Sequence, residues 1–238
     1  MIDIPIAEKP CDSTGTASKT IYKSNDDIYL GGHTAQIEYK KNDVFLLSTI
    51  YGPHICTQFF KKDSERCVID VKCKFPASSR DDPIEEELQN QLKNLLEGCI
   101  KGKNYPGCII TVIIDICSVH SELAKLSLLS HCFNSVMYCF NRAGVALKVN
   151  SFALTYSIQE KEEDSEFIVH PTDSEIEEAD SVLTIITNPF DKADNILEII
   201  PHKGFFDFAI ICSDTFIKSS VKEQCKKYTA SSLLQALE

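Results

Sequence analysis

The segment from about residue 122 to residue 142 constrains this chain more than any other. Leu123, Leu126, Leu129, Phe133, Val136, Met137 and Phe140 recur at helical spacing and cover almost the whole circumference of a helix. Such a helix loses hydrophobic free energy wherever it meets water, so it belongs between two layers. Ala143-Gly144-Val145 ends it. Just upstream, residues 108–117 (CIITVIIDIC) form the strongest strand signal in the chain, a continuous apolar run suited to the centre of a sheet.

The other elements fall around this pair. Apolar positions at Leu88, Leu92, Leu95, Leu96 and Cys99 predict a helix from Ile84, with Pro83 at its start and Glu85, Glu86 and Glu87 at its positive end. Gly102 and the turn Asn104-Tyr105-Pro106-Gly107 close it. Residues 44–51 predict a buried strand ended by a turn at Gly52-Pro53, with further strands at 55–59 and 67–75. Later strands are expected at 148–157, 167–169, 181–187, 196–200 and 206–212. A last amphipathic helix is expected over about 214–237, with Ile217, Val221, Cys225 and Tyr228 on one stripe. The acidic stretch 160–166 suits a solvated hairpin tip. Residues 1–20 read as a flexible arm and 21–238 as one domain. The order describes an α+β sandwich.

Composition narrows the class. Of 238 residues 43% are hydrophobic, enough for a real core, and no apolar run approaches the ~20 residues of a membrane helix. The start, Met1-Ile2-Asp3-Ile4-Pro5, lacks the basic and apolar stretches of a secretory signal, which points to an intracellular protein. Eleven cysteines are scattered inside apolar runs without a Cys-x-x-Cys pair, so they read as small core hydrophobes rather than zinc ligands or disulfides. A net charge of −11 disfavours a free-standing nucleic-acid binder, because phosphate neutralisation usually shows as a basic face. The six histidines have no ligand spacing, and His131, on the buried helix, reads as a satisfied core residue. No phosphate-binding Gly-x-x-x-x-Gly-Lys loop, Gly-x-Ser-x-Gly elbow or His-Glu-x-x-His helix occurs.

Several phrases resemble the RNase PH family, in the family's order and over about residues 28–235. They are Leu47-Ser48-Thr49-Ile50-Tyr51-Gly52-Pro53, Glu86-Glu87-Leu88, Tyr105-Pro106 before the central strand, His131-Cys132-Phe133-Asn134-Ser135-Val136 running on to Arg142-Ala143-Gly144-Val145, and Val169-His170-Pro171-Thr172 with Glu177-Glu178-Ala179. The resemblance implies an RNase PH-like sandwich of β-sheets and helices. It also implies a subunit of the RNA exosome: a hexameric ring shared with other RNase PH-like chains, RNA passing through the common channel, and residence in nucleus, nucleolus and cytoplasm. Neither a membrane nor DNA is expected as a partner.

Active members of the family hold inorganic phosphate in a Gly-Gly-Thr-Arg-like turn at the start of the buried helix. Backbone N–H groups and an arginine fork suit that dianion. Here the corresponding run is Cys117-Ser118-Val119-His120-Ser121, without glycine or arginine. Ser118 and Ser121 suit helix capping equally well, and His120 is mostly neutral near pH 7. Where the resemblance implies aspartates, the chain has His170 and Pro171, with Glu175 and Asp180 near the remaining position. Ser118, His120, Glu175 and Asp180 are thus vestigial candidates. Arg80, in a loop where the family's arginines grip RNA, and the small basic site Lys101 and Lys103 are the candidate RNA contacts. The expectation is a non-catalytic ring subunit without cofactor or metal. The alternative is a phosphate-dependent 3′-to-5′ exoribonuclease or a metal-dependent nuclease acting as a homo-oligomer, which would use phosphate and Mg.

Overall fold

A computed structural model of the chain describes residues 21–24, 35–41, 44–58, 60–75, 83–119, 123, 125–160, 165–188 and 196–204. In chain order these form β1 (Ile21–Ser24), β2 (Ala35–Lys41), β3 (Val44–Ile55), β4 (Val68–Lys74), α1 (Pro83–Cys99), β5 (Cys108–Ser118), α2 (Lys125–Arg142), β6 (Phe152–Glu160), β7 (Ser165–Val169), α3 (Asp173–Glu178), β8 (Ser181–Thr187) and β9 (Ile196–Lys203). One sheet has the order β1-β2-β3-β5-β4 and the other β7-β6-β8-β9. Only β4 and β5 run parallel, and α1 supplies their crossover. The architecture is α+β, as the periodicity implied. The expected arm at 1–20, strand at 206–212 and helix at 214–237 lie outside the described residues.

The buried helix sits where its composition requires. α2 packs on β2 and β3 of the first sheet and on β6 and β8 of the second. Phe133, Val136, Cys139 and Phe140 are fully enclosed in the principal core, beside Leu46 and Ile50 of β3 and Leu92 and Leu96 of α1. Each such large side chain contributes about 1.5–3 kcal/mol by leaving water.

The polar residues of α2 are buried as well, and each finds a partner. Towards the first sheet, His131 Nδ1 lies 2.8 Å from the Tyr39 hydroxyl, and Ser135 Oγ lies 2.7 Å from Ser48 Oγ. Towards the second sheet, Asn134 donates to Ala153 O and accepts from Ala153 N–H, both at 2.8 Å. Thr155 donates to Ser130 Oγ and meets Thr184 Oγ1, which in turn lies 2.8 Å from His202 Nε2. Buried polar groups are tolerated only when paired in this way. The sequence reading of His131 as a satisfied core residue holds.

Several local expectations are corrected. The turn expected at Gly52-Pro53 is a bulge inside β3: pairing with β5 shifts register between Tyr51 and His54, and the strand resumes to Ile55. Gly52 adopts φ +108°, and a Cβ there would lie 2.6 Å from Ile109 O, so the close approach needs glycine. The strand expected at 55–59 is therefore the tail of β3, and residues 56–58 have no regular structure. β6 starts at Phe152 rather than 148, because Lys148 N–H donates to Cys99 O and Ile100 bridges Leu147. Leu123 lies in the turn before α2, accepting from Leu126 N–H. Strands β1 and β2 and the short α3 were not anticipated; β2 reads Ala-Gln-Ile-Glu-Tyr-Lys-Lys, an alternation with Ala35, Ile37 and Tyr39 inward. The 160–166 tip is bracketed by the β6–β7 hairpin, which pairs Glu160 with Ser165.

Among the described cysteines Cys56, Cys67, Cys73, Cys99, Cys132 and Cys139 are buried and all are free thiols. Burial pushes Cys67 up to about 11 and Cys73 up to about 12, so these are inert packing groups, as expected.

Two outcomes follow from the polar contacts. Asn134→Ala orphans both backbone groups of Ala153 and is expected to cost roughly 2–4 kcal/mol in urea denaturation. Burial lowers His202 to about 4 from 6.5, so the folded state disfavours its protonation. Its contribution is complete above about pH 6.5 and is lost as pH falls towards 4. Urea midpoints between pH 7 and pH 4.5 should fall less steeply in His202→Gln than in the parent.

Candidate functional site

The first candidate region gathers at the C-terminal end of β5. Ser118 is its last residue, half-buried and opposite Phe45 of β3. Beyond it the chain turns through Leu123 into α2. Leu123 and Leu126 pack on Ile176, Ala179 and Val182, so the entry to α2 rests against α3 and the start of β8. The two stretches that the resemblance singles out, 117–121 and 170–180, therefore do meet in space. His120 itself lies outside the described residues.

What the second stretch contributes is local structure. Thr172 is the N-cap of α3, and the Glu175 carboxylate reaches back to it. Glu175 Oε2 accepts from Thr172 N–H at 2.7 Å and from Thr172 Oγ1 at 2.8 Å, completing a capping box. The Thr-x-x-Glu spacing was the legible signal for α3, and it assigns Glu175 to the cap. Lys203 Nζ closes the other end by donating to Ile176 O and Glu177 O, at 3.0 and 3.1 Å. Asp180 lies past that end, its N–H donating to Ile158 O. The turn after β9 presses on its backbone: Gly204 has φ +74°, and a Cβ there would collide with Asp180 O. Glu175 and Asp180 thus stand at opposite ends of α3 rather than as a pair around one ion.

His170, where the resemblance implies an aspartate, has φ +55° and donates its N–H to Thr155 O. A left-handed residue of this kind is tolerated by histidine, asparagine and aspartate better than by most. The position keeps its backbone geometry while an imidazole replaces the carboxylate. Among the described residues no group of three His, Cys, Asp or Glu side chains is placed to hold a metal ion. The residues present do not fit a two-carboxylate magnesium site.

The candidate RNA contacts divide between two places. Arg80 lies outside the described residues. Its flanks do not: β4 ends at Lys74, opposite Asp115 of β5, so that loop leaves the sheet at the Ser118 end. Lys101 and Lys103 are exposed on the α1–β5 connection, around a short 3-10 turn at Gly102–Asn104. They stand at the other end of β5, roughly 30 Å from Ser118 at about 3.3 Å per residue. The structure separates these lysines from the α2 entry.

Glu175→Ala should cost about 1 kcal/mol of thermal stability through the lost cap, and titration with Mg²⁺ should be unchanged by it.

Comparisons place this geometry. No protein-family model matches the chain, and no curated protein matches it. Solved structures do. The crystal structure of rice (Oryza sativa) Rrp46 superposes with a TM-score of 0.71 at 18% identity, covering 91% of this chain and 95% of that one. The Archaeoglobus fulgidus exosome with RNA bound to the active site gives a TM-score of 0.59 at 14% identity, covering 91% and 88%. Buried helix, paired sheets and strand order together give this chain the fold of the RNase PH-like exosome subunits.

Proposed function

We propose that the chain is a ring-building, non-catalytic subunit of an exosome-type assembly. It would support 3′-to-5′ RNA processing and degradation, including that of ribosomal RNA, by position rather than by chemistry. The observation that carries this is the fate of Glu175. The carboxylate nearest the expected catalytic position is consumed by the cap of α3, beside a β5–α2 connection whose sequence has neither the glycines nor the arginine a phosphate dianion needs. The phrases from Tyr51-Gly52-Pro53 to Ala143-Gly144-Val145 resemble most closely the exosome component five type, also called ribosomal RNA-processing protein forty-six. The likeness to rice Rrp46 supports that reading.

On this reading the partners are other RNase PH-like chains in a six-membered ring, with RNA in the shared channel. The protein needs neither bound phosphate nor magnesium and works in the nucleus, nucleolus and cytoplasm. Among the described strands β4 and β7 each have a neighbour on one side only. Such edges can add a strand from another chain.

Incubated with oligoadenylate, magnesium and phosphate, the purified chain is expected to release no nucleoside diphosphate above a blank. Light scattering should show growth into a hexamer-sized particle only when RNase PH-like partners are added. Steady diphosphate release, or a stable hexamer of this chain alone, would refute the proposal.

A further inference from the structure

The end of the first sheet away from Ser118 carries a feature that catalysis, folding and the sequence reading leave unexplained. Residues 56–67 fold around the 101–107 turn. Cys56 N–H donates to Gly107 O, Gly107 N–H to Asp63 O, and Cys67 N–H to Gly102 O, at 2.9–3.0 Å. This docking brings Lys62 over Gly107, where a Cβ would lie 3.2 Å from Lys62 Cε. It also sets Arg66 beside Gly102, between Lys101 and Lys103. Two nearby cations are already matched: Lys61 pairs with Asp70 at 3.1 Å and Arg66 with Asp63 at 2.9 Å. Lys62, Lys101 and Lys103 are exposed and have no carboxylate partner among the described residues. Glu65, also exposed, is the nearest opposing charge in sequence. Two residues before Lys62, Phe60 projects its ring into solvent at 83% exposure, the most exposed large hydrophobic among the described residues.

An unpaired lysine trio beside a bare aromatic ring has a specific chemical use. Ammonium groups neutralise phosphodiesters as point charges, and an exposed ring stacks a base of any identity. A protein partner would want contiguous apolar area, whereas Phe60 has only Ile55 as a large exposed apolar neighbour on this segment. In a chain of net charge −11 such a place stands out. We propose that Phe60, Lys62, Lys101 and Lys103 form a sequence-independent anchoring site for single-stranded RNA, remote from the degenerate α2 entry. The site rests on the RNA-contact part of the proposed function and extends Lys101 and Lys103, the pair legible in sequence, with two residues that only folding adds.

The test uses the full chain, alone and within its assembled complex, with a fluorescent 20-nucleotide oligoadenylate followed by anisotropy across a salt series. Three phosphate contacts predict a slope of log affinity against log salt of about −2. The triple variant Lys62→Ala, Lys101→Ala, Lys103→Ala should flatten that slope towards zero. Phe60→Ala should weaken binding about tenfold at every salt concentration and leave the slope unchanged. All four positions are exposed, and unchanged thermal melts verify that the variants fold. Unaltered binding in both variants, or no binding by the parent, overturns the site. So does a triple variant that binds RNA normally but no longer joins its partner subunits, since the lysines would then serve an acidic protein surface. A chain that binds RNA through these residues yet never enters a ring keeps the site and sinks the ring reading. Normal ring entry with RNA binding untouched by the variants does the reverse.

Discussion

Everything in this fold depends on α2 being satisfied on two opposite faces at once. Its apolar side chains fill the space between the sheets, but hydrophobic burial alone has no direction and would accept many rotations of the helix. The polar residues remove that freedom. His131 and Ser135 can meet Tyr39 and Ser48 only if they face the first sheet, and Asn134 can hold both backbone groups of Ala153 only if it faces the second. A rotated helix would leave several buried donors and acceptors unpaired, each costing about 1–3 kcal/mol. The network therefore sets the rotation and register of the helix as well as adding stability.

Fixing α2 also fixes what lies at its ends. Its entry is pinned by Leu123 and Leu126 against Ile176, Ala179 and Val182, which brings the β5–α2 connection to α3. An RNase PH-like scaffold thus presents the same two stretches side by side whether or not they carry catalytic groups. Here the stretch around α3 is organised for its own stability: a capping box at one end, Lys203 on the last carbonyls at the other, and Gly204 pressed to Asp180. Glu175 serves that organisation, and the same oxygen cannot also be free to coordinate an ion.

β5 then separates two environments. Its C-terminal end holds the worn remnant of a reaction site, while its N-terminal end holds the turn that gathers Lys62, Lys101 and Lys103 near Phe60. A subunit with this division contributes to RNA handling through adhesion and geometry. The chemistry would then fall to other members of an assembly.

The sequence by itself determined the class of fold, because a helix apolar on all sides demands two covering layers and a strand such as Cys-Ile-Ile-Thr-Val-Ile-Ile-Asp-Ile-Cys demands neighbours on both flanks. It also exposed the missing glycines and arginine near Ser118, since absent chemistry needs no coordinates to be noticed. Periodicity is a local quantity, and it failed where the outcome depended on distant atoms. Gly52-Pro53 reads as a turn, and the pull of β5 on both sides makes it a bulge. Glu175 reads as a surface carboxylate in an acidic run, and Thr172 makes it a cap. Phe60 and Lys62 lie some forty residues from Lys101 in the chain, and only the docking of one loop on another makes them neighbours.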